Sequence, residues 1–152
     1  MLSKKSKYAL KAMLVLAKEW GNGPMLISEI AEREGIPRKF LELILLELKN
    51  NGILQSKKGK GGGYFLSRPP HTVTFGSVLR ILDGPLAPLP CVSKSSYMRC
   101  EECRDERLCG IRIVMKDVRE ATAKILDSTS LADGLRRVEL VGEGKEALSF
   151  AI

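Results

Sequence analysis

The sequence predicts a mainly α fold with a small β-hairpin: a winged helix-turn-helix domain joined to a long C-terminal dimerisation helix. Three observations predict it. Two short helical stretches flank a tight turn at Gly35, a basic glycine-rich hairpin follows them directly, and a long amphipathic stripe lies far downstream between Ile111 and Leu126. Aromatic residues make up only 5% of the chain against 44% hydrophobic residues, so the core must be aliphatic, which suits packed helices.

The elements follow in order. Tyr8, Leu10, Met13, Leu14, Leu16 and Ala17 form a broad helical stripe after Ser3, a capping residue, and Gly21-Asn22-Gly23-Pro24 breaks the helix. Met25-Leu26-Ile27 reads as extended. Ser28 reads as the N-cap of a short helix that carries Ile30 and Ala31 inward and ends at Gly35. Pro37 opens the next helix, whose core face is Phe40, Leu41, Ile44, Leu45 and Leu48, and Asn50-Asn51-Gly52 stops it. Ile53–Ser56 and Tyr64–Leu66 read as strands around the turn Lys57-Lys58-Gly59-Lys60-Gly61-Gly62-Gly63. Thr74 caps a short helix, Phe75 to Leu82. The long stripe then follows, and Ser130 caps a last helix, Leu131 to Arg137. These elements divide the chain into a DNA-binding domain (1–84), a cysteine-rich sensor loop (85–109), a dimerisation helix with a terminal short helix (110–137) and a flexible tail (138–152).

Charge is unevenly placed. Residues 1–68 hold thirteen Lys and Arg against six Asp and Glu, a net of +7, whereas residues 69–152 hold twelve of each. A polyanion therefore meets the N-terminal half, and lysines at a glycine-rich tip suit phosphates or a minor groove. The tip is not a nucleotide loop, because it lacks the Lys-Ser/Thr ending and precedes a strand. No dinucleotide fingerprint and no convergent His, Asp and Ser set argue for an enzyme or a small-molecule substrate. No apolar run reaches membrane-spanning length, and Lys18-Glu19-Trp20 ends the N-terminal apolar stretch without a cleavage site, so a cytoplasmic protein is expected. The long stripe needs a partner, and an identical helix from a second subunit supplies one; a homodimer also suits a two-fold-symmetric operator in double-stranded DNA.

Cys91, Cys100, Cys103 and Cys109 are spaced C-x8-C-x2-C-x5-C among charged residues, which marks an accessible loop. Four thiols in a reducing compartment serve an iron–sulfur cluster, a zinc ion or a thiol switch, and the spacing does not choose among them. The accessibility favours a sensor.

Several segments resemble one family. Ser6-Lys7-Tyr8-Ala9-Leu10, Ile30-Ala31, Phe40-Leu41-Glu42, Leu48-Lys49-Asn50-Asn51-Gly52-Ile53 and Lys60-Gly61-Gly62-Gly63-Tyr64-Phe65-Leu66 resemble the Rrf-two family of winged-helix regulators, which includes IscR-like, NsrR-like and RirA-like sensors and a cysteine-metabolism branch. The resemblance implies a transcription regulator, a repressor, with DNA affinity set by a 2Fe–2S or 4Fe–4S cluster or by cysteine redox state; zinc is the alternative metal. It implies DNA contacts from Tyr8, Ser28, Pro37, Arg38, Lys39, Phe40 and Glu42, and from Lys58, Gly59, Lys60 and Gly61 of the wing. It implies cluster ligands among Cys91, Cys100, Cys103 and Cys109. IscR-like members place a His ligand where this chain has Arg112, and NsrR-like members use an acid from the first helix, where residues 3–8 hold none. His71 is read as a surface residue.

Overall fold

A computed structural model describes residues 2–144. The elements are α1 (Lys4–Lys18), α2 (Ile27–Glu34), α3 (Arg38–Asn50), β1 (Leu54–Lys57), β2 (Gly63–Leu66), α4 (Phe75–Asp83), α5 (Gly110–Ser128) and α6 (Leu131–Gly142). Single 3-10 turns at Pro70–Thr72, Pro90–Val92 and Glu106–Leu108 punctuate the connections. The expected mainly α architecture with one hairpin is what forms.

Local signals explain most boundaries. Ser3 Oγ accepts from the Ser6 amide at 3.0 Å, which caps α1, and also donates to Asp83 Oδ1 at 2.5 Å, which ties the start of α1 to the end of α4. Thr74 caps α4 through the Ser77 amide. Gly35 ends α2 in the left-handed conformation at φ 63°, where a side chain would be strained.

Ser28 does not cap α2. Leu26 holds that position without a side-chain bond, and Ser28 lies inside the first turn. The reason is tertiary. Met25 and Tyr64 exchange backbone hydrogen bonds of 2.9 and 2.8 Å, which keep the chain extended as far as Leu26. The Glu29 and Ile30 amides then donate back to the Leu26 carbonyl, so the helix begins before Ser28.

The same bridge explains the glycines of the hairpin, in which Leu54 pairs with Leu66 and Lys57 with Gly63. A Cβ on Gly63, at φ 141°, would press on the Met25 carbonyl, and one on Gly62 would press on the Lys57 carbonyl. These two glycines serve the chain's own close backbone approaches, whereas Gly59 and Gly61 turn the exposed tip at φ 86° and 73°.

The core is aliphatic. Met13, Ile30, Leu41, Ile44, Leu45, Leu48, Leu54, Leu66, Val73 and Val78 are fully buried, joined by Leu131 from α6. Thus α6, grouped with the pairing helix by the sequence reading, starts in the core of the N-terminal domain. The Phe75 amide donates to the Thr129 carbonyl and the Leu131 amide to the Val73 carbonyl, at 2.9 and 2.8 Å, which pins the starts of α4 and α6 together. A reciprocal capping box between Ser130 and Asp133 starts α6, which continues past Arg137 to Gly142. Residues 138–142, expected to be a loose tail, are therefore helical. The tail from residue 145 onward lies outside the described residues.

Between those anchors the chain makes a closed excursion: a loop runs outward and α5 returns. Arg80 of α4 grips Asp127 near the end of α5 through both carboxylate oxygens. This hydrogen bonding holds the Asp127 carboxyl below its usual range, so the grip is intact at neutral pH and is lost only in acid.

Replacing Gly63 by alanine forces both an unfavourable φ and a backbone clash, and is expected to cost about 2–3 kcal/mol. Gly110→Ala, in open space at the first turn of α5, is expected to be neutral or stabilising by about 0.5 kcal/mol. Urea titration of both variants checks the contrast; equal stabilities would refute the close-approach account of Gly63.

Candidate functional site

Three features rise above the rest of the surface. They are a cationic groove beside α3, the loop of cysteines, and an uncovered apolar face on α5.

The groove of about 350 Å³ lies among α2, α3 and the hairpin, lined by Ser28, Arg38, Lys49, Ser56, Lys57 and Lys58 together with Leu26, Ile27, Gly63 and Tyr64. It carries four cations and no carboxylate. Of the residues expected at a DNA interface, the structure brings Ser28, Arg38 and Lys58 into this groove. Pro37, Lys39, Glu42, Gly59, Lys60 and Gly61 lie exposed on the adjoining elements. Arg38 pairs with Glu42 one turn on at 3.3 Å, so the two candidate base readers of α3 restrain each other.

Tyr8 and Phe40 behave differently. Their rings meet edge to face at a centroid distance of 5.6 Å, and both are half-buried against the core. Phe40 therefore sets the angle of α3 on α1 by packing, and Lys5 reinforces that angle by pairing with Glu47 at 2.5 Å. Leu43 and Leu46 stand exposed on α3, at 65% and 46%.

Sequence reasoning missed Lys49 and Ser56, and placed Lys57 only in the basic turn of the hairpin. Lys49 follows Arg38 by three helical turns, so it returns to the same face; that periodic signal was readable. Ser56 and Lys57 join the groove only because the Met25–Tyr64 bridge folds the hairpin onto α2, which no local pattern records.

The cysteine loop holds four free thiols. Cys91 is buried in the turn Pro90–Val92, Cys100 is exposed, and Cys103 and Cys109 are half-buried. Cys103 donates its backbone amide to the Cys100 carbonyl at 3.2 Å. Cys109 caps α5, its sulfur accepting from the Arg112 amide at 3.5 Å. Desolvation first, then the neighbouring Cys109 and Cys100 and finally Glu106, push the Cys103 thiol above its ordinary range. Cys91 and Cys100 face one shared cavity of about 360 Å³ with Met98, Arg99, Glu101 and Glu102. Among the described residues, no three His, Cys, Asp or Glu side chains gather in a group that holds a metal ion as they stand. Arg112 ties the two ends of the loop together: its amide meets Cys109 and its Nε donates to the Cys91 carbonyl at 3.2 Å. His71 is exposed in its turn.

The face of α5 inverts the usual burial. Arg119 is its one buried residue, while Ile111, Val114, Val118 and Ile125 are 67%, 56%, 44% and 60% exposed. With the exposed Ala121 these positions alternate steps of three and four residues, the seam of a helix that packs lengthwise on another. No described helix is long and apolar enough to cross a membrane, so this stripe is not a span.

Known proteins share this fold. Residues 2–137 match the model of the Rrf2 (Rrf-two) family, described as iron-dependent transcriptional regulators. An rrf2-like helix-turn-helix transcriptional regulator of Rhodobacter capsulatus is 44% identical over 138 residues, 89% of this chain and 92% of that protein. The structure of CymR, the global cysteine regulator of B. subtilis, superposes with a TM-score of 0.73 at 32% identity, covering 88% of this chain and 94% of that one. The structure of T. potens IscR superposes with a TM-score of 0.72 at 30% identity, covering 91% and 88%.

Proposed function

The chain belongs to the Rrf2 family of transcriptional regulators, and from that premise we propose that it works as a homodimer whose grip on operator DNA is set by the state of its cysteine loop. It is a regulator and not an enzyme. The single observation that carries the reading is the acid-free groove of Arg38, Lys49, Lys57 and Lys58 between a helix and a hairpin of opposite reach.

In this reading the N-terminal half of α3 enters the major groove. Arg38 and Lys39 meet bases or phosphates, and Glu42 accepts from cytosine N4. Lys58 and Lys60 at the hairpin tip meet phosphate or the adjacent minor groove, with Gly59 and Gly61 keeping the tip thin. Ser28 and Pro37 sit at the rim. Tyr8 and Phe40 hold α3 at its angle. Two copies joined through Ile111, Val114, Val118 and Ile125 present two reading helices to a two-fold-symmetric site.

The donor set suits an iron–sulfur cluster: it is all thiol, with Cys100 exposed and Cys103 and Cys109 only half-buried, where iron can reach them. Cys91, Cys100, Cys103 and Cys109 would hold it, after the loop draws in. The cluster, when bound, supplies a redox- and iron-sensitive cross-link. This chain's residues supply the transmission. Cys109 caps α5, Arg112 joins the loop's ends, and the Arg80–Asp127 grip connects α5 to the DNA-binding domain. Coupling through such contacts is typically 1–3 kcal/mol. A second reading rests on the closeness of Cys103 and Cys109. An oxidant such as diamide removes two hydrogens from the pair and leaves a disulfide, which would strain the cap of α5 by the same route. Zinc in place of the cluster would make the loop structural.

Three outcomes are expected. Lys58→Ala with Lys60→Ala should weaken binding to a random-sequence duplex about tenfold and lower the salt slope by about 1–2, read by fluorescence anisotropy across salt concentrations; unchanged binding would remove the hairpin from the interface. Protein purified without oxygen should show visible absorption that is lost on replacing any of three or more cysteines by serine, and its DNA affinity should differ between loaded and stripped forms. A colourless protein with stoichiometric zinc sinks the cluster reading, and a mass two hydrogens lower after diamide, absent in Cys103→Ser, supports the disulfide. Sedimentation should give a dimer that Val114→Glu with Val118→Glu converts to monomer; a monomeric parent protein would contradict the pairing of α5.

A further inference from the structure

Residues 69–152 are neutral overall, yet their cations are not evenly spread. Where the outward loop lies along α5, a cavity of about 420 Å³ is lined by Arg80, Lys94, Arg119 and Lys124, with Ser93 and Ser95 beside them. Glu120 and Asp127 are its only acids, and Asp127 is committed to Arg80. A second cavity of about 200 Å³ shares Ser93, Lys94 and Arg119, adds Arg112 and Lys116, and has no carboxylate. Six basic side chains therefore converge on one seam.

At its centre sits Arg119, 7% exposed. Its Nη2 reaches Glu120 at 3.0 Å, a neighbour whose own side chain is half in solvent, and its Nε has no acceptor among the described residues. A buried guanidinium with an idle N–H is costly, and a charged donor without an acceptor is several times more so than a neutral one. An arginine also offers paired N–H groups that match an oxyanion. We propose that this seam binds a small oxyanion-bearing metabolite, its phosphate or carboxylate head on Arg119, Lys94 and Lys124 and its apolar remainder against Pro85, Leu86 and Ala123. The site is separate from the groove beside α3, its walls come from both the loop and α5, and its smaller cavity reaches Cys91.

The test is thermal unfolding of the full chain with inorganic phosphate and, in a second arm, succinate, each matched in ionic strength by chloride. A rise of about 3–6 °C at tenfold excess over the dissociation constant, growing with the logarithm of further ligand, is expected for at least one of them. Phosphate alone identifies a phosphate head and succinate alone a carboxylate. The rise should survive Lys58→Ala with Lys60→Ala. It should vanish in Arg119→Gln and, should that variant unfold, in the surface pair Lys94→Ala with Lys124→Ala. Shifts no greater than with chloride overturn the proposal, as does a shift that disappears with the hairpin lysines and persists without Lys94 and Lys124. Binding of random duplex, measured on the same variants, keeps failure of the DNA reading distinguishable from failure of this one.

Discussion

The backbone bridge between Thr74 and Ser130 constrains everything that follows it. By anchoring the start of α4 beside the start of α6, it makes the intervening chain leave the domain and come back to it. A helix of 19 residues spans about 28 Å, so the return leg alone carries the chain well beyond the core. The outward loop must lie along that leg, which puts Leu86 and Ala87 near Ala123, and Cys91 beside Arg112. The cysteines, the cationic seam and the unpaired apolar stripe are consequences of one closed excursion.

Within the excursion, burial sorts residues against their nature. The loop covers one side of α5 and encloses Arg119 there, while the hydrocarbon side chains at Ile111, Val114, Val118 and Ile125 face outward. A lone chain gains little from such a helix. Covering four aliphatic side chains at about 1.5–3 kcal/mol each is a large gain for any second surface that fits. The same geometry lets one element serve the cysteine loop through its N-terminal cap and the DNA-binding domain through the Arg80–Asp127 grip.

The cationic groove depends on a second closure, at Met25 and Tyr64. Those two backbone bonds start α2 at Ile27, fold the hairpin onto it and require glycine at position 63. Electrostatics then follow from placement. Arg38 from α3, Lys49 from its far end and Lys57 and Lys58 from the hairpin meet without an intervening acid. Phe40 and Tyr8 hold α3 by edge-to-face packing.

The sequence by itself determined the element order, the caps at Ser3, Thr74 and Ser130, the stop at Gly35, the hairpin and its basic tip, the heptad-like stripe of α5 and the clustering of the cysteines. Each is written in neighbouring residues, because capping, turn chemistry and periodicity act within a few positions. Only the tertiary structure decided that Ser28 yields the cap to Leu26, that Gly62 and Gly63 serve internal contacts, that α6 belongs to the first core, and that Arg119 is buried. Those outcomes rest on pairs distant in the chain, such as Met25 with Tyr64 and Val73 with Leu131. No local pattern records where two remote backbones will meet.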